Sequence, residues 1–137
     1  YEYVRPSILP SLLASEAVSA NAVFPHRIFE VGKVARRAEG ENYGSITRQE
    51  LGFLQASGDA NFNVISSQVQ ALMYYLSREY SLEELNDGRF IPGRAATILW
   101  KGRSVGVFGE IHPQVLENWG ITTPCIACEI DIETLLT

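Results

Sequence analysis

Hydrophobic and polar positions change period several times along this chain, and each change marks an element. Between Pro6 and Ala20 the residues Ile8, Leu9, Leu12, Leu13, Ala17 and Ala20 recur at helical spacing, which predicts a first helix. Pro6 suits its first turn, and Pro10 is tolerated because the helix has barely begun there. Asn21 offers a stop and Pro25 ends any continuation. From His26 to Arg36 the pattern turns to alternation, with Phe29, Val31 and Ala35 on one face and Ile28, Glu30, Gly32 and Val34 on the other, so a strand carries a carboxylate in its middle. The polar run from Ala38 to Arg48, with Gly40, Asn42, Gly44 and Ser45, reads as a loop. Glu50 to Ser57 reads as the second strand of an antiparallel hairpin across it.

Asn63 can cap a second helix reaching about Glu79, whose stripe of Ile65, Val69, Leu72, Met73, Leu76 and Tyr80 faces a core. Arg94 to Lys101 and Ser104 to Ile111 predict a hairpin turning at Gly102-Arg103. His112 then stands where a helix would be capped, Pro113 takes the first helical position, and Gly120 supplies the left-handed turn that ends the helix. Pro124 to Ile132 alternates again, placing Ile126, Cys128, Ile130 and Ile132 on one face of a last strand. Strands joined through hairpins, with helices between the pairs, predict an α+β fold: an antiparallel β-sheet with helices on one face.

Composition narrows the classes. A chain of 137 residues holds one core and is too short for two, so residues 1–137 form a single domain. Sixteen acidic residues against eleven basic ones give a net charge of -5, so the surface as a whole will not grip a nucleic-acid backbone by counterion release. Lys33, Arg36 and Arg37 make the nearest approach to a basic patch, and cations at a strand end also serve to discourage strand pairing. No apolar stretch approaches ~18 residues and no charged-then-apolar leader is present, so no membrane partner is expected and a cytoplasmic location is the default.

Candidate chemistry is sparse. Cys125 and Cys128 form a C-x-x-C, but on a strand residues three apart point to opposite faces, so one metal ion could not easily take both thiolates. Nor do they open a helix, as redox pairs of this spacing do. His26 and His112 add no zinc spacing, and the glycines form no Walker or Rossmann phosphate loop. His112, just before a helical proline, reads as a cap rather than a general base. Glu30, Glu110 and Glu129 each sit mid-strand; a pair on one face could serve acid–base work, while the plainer reading is that each faces water or finds a cationic partner, for which Arg94 and Arg27 are candidates. No residue is therefore assigned as catalytic or metal-binding.

Three blocks in order carry a resemblance: Val4-Arg5-Pro6-Ser7-Ile8-Leu9-Pro10-Ser11-Leu12-Leu13, Phe90-Ile91-Pro92-Gly93-Arg94-Ala95-Ala96 and the run from Gly106 to Gly120. Together they resemble the C-terminal, synthetase-like but non-catalytic domain of phenylalanyl-tRNA synthetase beta subunits, and the wording around Glu117-Asn118-Trp119-Gly120 and Pro124 is similar to the archaeal branch. The resemblance implies a class II aminoacyl-tRNA synthetase sheet and a fragment of a longer subunit. It also implies an α2β2 heterotetramer in which the alpha subunit binds ATP and magnesium and charges tRNA(Phe) with phenylalanine. This domain would hold none of these ligands itself.

Arg27 to Ala38 resembles the start of the second shared motif of that class, with Arg36 at the phosphate-binding arginine. Ala35 replaces the expected aromatic residue and Ala38 the expected carboxylate, so Arg36 is a degenerate phosphate position without its support. In place of the glycine-rich third motif, only Gly106, Gly109 and Glu110 offer themselves, with His112 near where an arginine is needed. Phosphoryl and adenylyl transfer depends on positioned cations and metal, so the resemblance implies a scaffold rather than a catalyst. The alternatives are a divergent adenylate-forming domain that binds ATP itself and a free-standing regulatory or tRNA-binding module. In the family the first helix joins a helical interface between subunits, which points to Ile8, Leu9, Leu12 and Leu13 as the contact with the alpha subunit. Their other reading is that they simply cover the sheet.

Overall fold

The computed structural model describes residues 7–18, 25–37 and 45–136. Along them run α1 (Leu9–Ala17), β1 (His26–Arg37), β2 (Ser45–Ala56), α2 (Phe62–Tyr75), β3 (Ser81–Glu84), β4 (Phe90–Trp100), β5 (Arg103–Ile111), α3 (Pro113–Asn118), β6 (Cys125–Asp131) and α4 (Ile132–Leu135). The strands form one six-stranded sheet in the order β1-β2-β6-β5-β4-β3, each pair antiparallel.

Three local signals hold. His112 caps α3, its Nδ1 accepting the Gln114 N–H at 3.0 Å, with Pro113 first in the helix and Gly120 at φ 71° after it. The β1–β2 hairpin and the β4–β5 hairpin both form. Boundaries move for physical reasons. β2 starts at Ser45, inside the expected loop, because its ladder with β1 is closed by backbone bonds that need no apolar side chain. Asn61, not Asn63, caps α2 by accepting the Val64 N–H at 3.0 Å. The β4–β5 turn is Lys101-Gly102, between paired Trp100 and Arg103.

The helices, expected on one face, are divided between two. α1 and α3 bury Ile8, Leu9, Leu12, Leu13 and Leu116 with Leu54, Ala56 and Ala127. α2 and α4 bury Ile65, Val69, Met73 and Leu135 with Phe53, Phe108, Ile126, Cys128 and Ile130. Instead of the one core expected from length, neighbouring residues of β2 and β6 enter two cores on opposite faces, as strand geometry requires. All of Cys125 to Ile130 is buried, the mark of a strand covered on both sides.

α1 is seated on the middle of the sheet. Gly52 of β2 and Glu129 of β6 are cross-strand partners. A Cβ on Gly52 would lie 2.6 Å from Ile8 Cγ2 and 3.1 Å from Leu12 Cδ1, so the helix rests directly on bare backbone. Glu129, 2% exposed, accepts from Ser7 Oγ at 2.8 Å and from the Ile8 N–H at 3.3 Å. Ser7 Oγ in turn accepts the Leu9 N–H at 3.2 Å, so the chain's entry into α1 is satisfied by the sheet.

Two substitutions test this seat by urea denaturation. Gly52→Ala forces Ile8 off its position and is expected to cost about 1–3 kcal/mol. Glu129→Ala leaves the Ile8 N–H and Ser7 hydroxyl without their acceptor and is expected to cost about 2–4 kcal/mol. Unfolding midpoints equal to the parent's would show that α1 is held elsewhere.

Candidate functional site

The residues singled out in the sequence do not converge on one pocket. Arg36 lies on β1 opposite Ile46, but its side chain falls outside the described residues, as do Ala38 and Val4 to Pro6. Ala35, in place of the expected aromatic residue, is half-buried opposite Thr47. Cys125 and Cys128 enter opposite cores, so they form no pair. Burial, with the Glu16 charge behind it, pushes the Cys125 thiol up to about 12. Burial, then Glu129 and Glu50, pushes Cys128 up as well. Both are poor nucleophiles as a result.

The mid-strand carboxylates are occupied. Glu110 lies 3.2 Å from Arg94 Nη1, the partner expected from the sequence, and accepts the Phe62 N–H at the start of α2 at 3.0 Å. Glu129 meets Arg89 Nη1 at 3.5 Å, a partner that sequence reading missed. Arg27, the other candidate, donates instead to Gln55 Oε1 at 3.3 Å. Arg89 also clamps Asp87, with Nε at 3.0 Å and Nη2 at 2.8 Å. Those side-chain bonds hold the Asp87 carboxyl below its ordinary range, although burial opposes them. Burial also works against the Arg89 charge, yet Asp87 and then Glu129 outweigh it and raise its pKa.

A pair buried on both sides was not legible either. His26 Nδ1 lies 2.8 Å from Glu16 Oε2, both side chains nearly inaccessible, tying the end of α1 to the start of β1. The only signal was a glutamate on the apolar side of a predicted helix. No group of three metal-ligating side chains occurs among the described residues. No helix among them is long and apolar enough to cross a membrane.

Ile8, Leu9, Leu12 and Leu13, expected at a subunit contact, are 0–5% exposed and belong to the chain's own core. Four large side chains at helical spacing are absorbed because α1 sits over Gly52, where backbone and helix approach closely. Among the described residues two apolar surfaces stand open. One is the outer stripe of α1, where Pro10, Ala14 and Val18 are all exposed, Val18 by 85%. The other is a groove of about 280 Å³ beside α2, lined in part by Phe29, Leu51, Phe53 and Leu72. Phe29 and the neighbouring Val31 are 68% and 63% exposed.

Comparison with known proteins places this arrangement. Residues 1–132 match the family described as the phenylalanyl tRNA synthetase beta chain CLM domain. The chain belongs to that family. It is 52% identical over 136 residues to the phenylalanine–tRNA ligase beta subunit of Treponema pallidum, covering 99% of this chain and 22% of that one. The beta subunit of Borreliella burgdorferi is 46% identical over 137 residues, covering 100% of this chain and 24% of the other. Both relatives are bacterial rather than archaeal. The chain therefore spans about a quarter of the length of the beta subunits it matches. Its fold is also that of pyrrolysyl tRNA synthetase from Desulfitobacterium hafniense, with a TM-score of 0.76 at 18% identity over 96% of this chain and 48% of that one. This beta-chain domain thus has the expected antiparallel class II synthetase fold.

The Asp87–Arg89 clamp gives a pH prediction. A carboxylate whose pKa is lower folded than unfolded stabilises fully above its unfolded value, about 3.9, and loses that contribution as pH falls through the folded value. Asp87→Asn is expected to flatten the decline of the urea midpoint below about pH 4, while the parent declines more steeply. Identical acid limbs would refute the clamp.

Proposed function

We propose that this domain is a non-catalytic scaffold of a phenylalanine–tRNA ligase beta subunit. In this reading it assembles with the alpha subunit into an α2β2 heterotetramer that uses ATP and magnesium to charge tRNA(Phe) in the cytoplasm. The observation that carries the non-catalytic part is the occupation of the sheet centre. α1 lies on Gly52 and Glu129 on one face, and α2 packs on the other. Arg89 and Arg94 are committed to carboxylates, and Arg36 lacks the aromatic and acidic neighbours that would hold it in register with a phosphate.

The assembly part rests on α1 being apolar on two sides. Its inner side is spent on the domain's own core, so the contact with the alpha subunit falls to the outer stripe of Pro10, Ala14 and Val18. A helix with apolar residues on both flanks suits a position between two packed bodies. Ile8, Leu9, Leu12 and Leu13 act in this seam by fixing the helix to the sheet.

The test uses the whole beta subunit. Ala14→Glu with Val18→Lys is expected to leave the thermal midpoint within a few degrees of the parent, since neither side chain is buried. Association with the alpha subunit, followed by sedimentation velocity, is expected to weaken at least about tenfold, the effect of ~1.4 kcal/mol. A complex of unchanged size and affinity would overturn the seam.

A further inference from the structure

Among the described residues, Ser77 at φ 56° and Lys101 at φ 53° are the non-glycine positions in the left-handed region. Ser77 ends α2 where glycine is usual: its N–H bonds to the Tyr74 carbonyl at 3.0 Å and the Arg78 N–H to the Met73 carbonyl at 2.9 Å. Lys101 takes the first place of the two-residue β4–β5 turn, which favours asparagine or glycine. The two positions are distant in sequence, yet both line one open cleft of about 470 Å³ with Arg78, Glu79 and Trp100. Side chains held against the backbone's preference, at two positions of one site, point to use of that site.

The cleft is cationic in an acidic protein. Arg78 stands 5.4 Å from the Trp100 ring centroid and Lys101 4.6 Å from it, so one indole sets where both charges sit. Arg78 spends Nε on the Leu135 carbonyl at 2.9 Å, which fixes the guanidinium and leaves its terminal nitrogens to a ligand. Arg103, exposed as the first residue of β5, follows directly after the turn. Arg48, Arg89 and Arg94 are each paired with a carboxylate, whereas Arg78, Lys101 and Arg103 have none against them among the described residues. Glu79 is the one acid of the lining. Just before Ser77 in the chain, in the last turn of α2, Tyr74 and Tyr75 are 82% and 85% exposed with ring centroids 6.4 Å apart.

We propose that this hairpin and helix end form an RNA contact, in which Arg78, Lys101 and Arg103 hold phosphates and Tyr74 and Tyr75 offer rings to unpaired bases. Positioned cations beside exposed aromatic rings are the chemistry of single-stranded RNA recognition, and an open cleft suits a strand better than a small anion that must be enclosed. The proposal deepens the tRNA-charging role and rests on it.

Binding of tRNA to the complex of the whole beta subunit with the alpha subunit is measured by fluorescence anisotropy across salt concentrations. Lys101→Glu with Arg103→Glu is expected to weaken binding about tenfold, with a salt slope shallower by roughly one for each lost phosphate contact. Lys101→Gly separates function from folding, since relief of the left-handed lysine should raise the thermal midpoint while binding weakens. Lys101→Arg should keep binding. Unchanged affinity and slope in both Lys101→Glu/Arg103→Glu and Lys101→Gly would overturn the contact. Sedimentation of the same samples reports assembly separately. If the parent fails to join the alpha subunit, the scaffold role falls, and the RNA contact is then judged by the same variants on the beta subunit alone.

Discussion

A carboxylate in the middle of the sheet carries the architecture. Glu129 is almost fully buried, where an ionised group without partners would cost several kcal/mol. It is stabilised by the Ser7 hydroxyl, the Ile8 N–H and Arg89, and those same bonds fix where α1 begins. The glycine opposite it on β2 lets the helix come down onto the strand, so polarity sets the register of α1 and the missing side chain sets its height. Glu110 repeats the device on the other face, accepting the Phe62 N–H of α2 while paired with Arg94. Glu129 and Glu110 thus each face the electropositive start of a helix, with an arginine beside each. On each side of the sheet one in-strand acid, Glu129 on one and Glu110 on the other, anchors the start of a helix.

That assignment changes how the likeness to pyrrolysyl tRNA synthetase is to be understood. A TM-score of 0.76 at 18% identity means that the backbone plan survives with few shared side chains. Chemistry resides in particular side chains, not in the plan. Here Glu110 and Glu129 are turned to internal support, and the arginines nearest them are neutralised in doing so.

How far the sequence revealed this follows from what each signal measures. Periodicity and caps found β1, α2, the β4–β5 hairpin, and α3 with its His112 cap, since those depend on local spacing. It missed β3, whose four residues are all exposed and so show no alternation, and α4, a single turn capped by Asp131. It placed the helices on one face because alternation along a strand does not say that the second side is also covered; the unbroken burial of Cys125 to Ile130 does. The opposed directions of Cys125 and Cys128 were legible, being a property of any strand. Pairings such as Glu129 with Arg89, 40 residues apart, or His26 with Glu16 were not, because they arise from tertiary approach. The four α1 residues show the same limit: spacing establishes an apolar side, but only the depth at Gly52 decides that this side is consumed internally.

Net charge misleads for a related reason. A total of -5 speaks against a surface that binds polyanions as a whole, yet it averages over acids and bases engaged in different work. Glu16, Glu110 and Glu129 are committed inside the fold or at its helix starts, and Arg48, Arg89 and Arg94 are cancelled by neighbours. What the surroundings meet is the uncancelled remainder, and at the end of the sheet that remainder is Arg78 and Lys101 against one tryptophan, with Arg103 exposed nearby in the chain and Glu79 as the one acid of the lining. Screening confines such charge to about 8 Å at physiological ionic strength, so a ligand arriving there responds to those cations and not to acids on the far side. Local arrangement, fixed by a helix end and a tight turn that each hold a side chain in a glycine-like conformation, therefore outweighs the overall sum in deciding what this surface can attract.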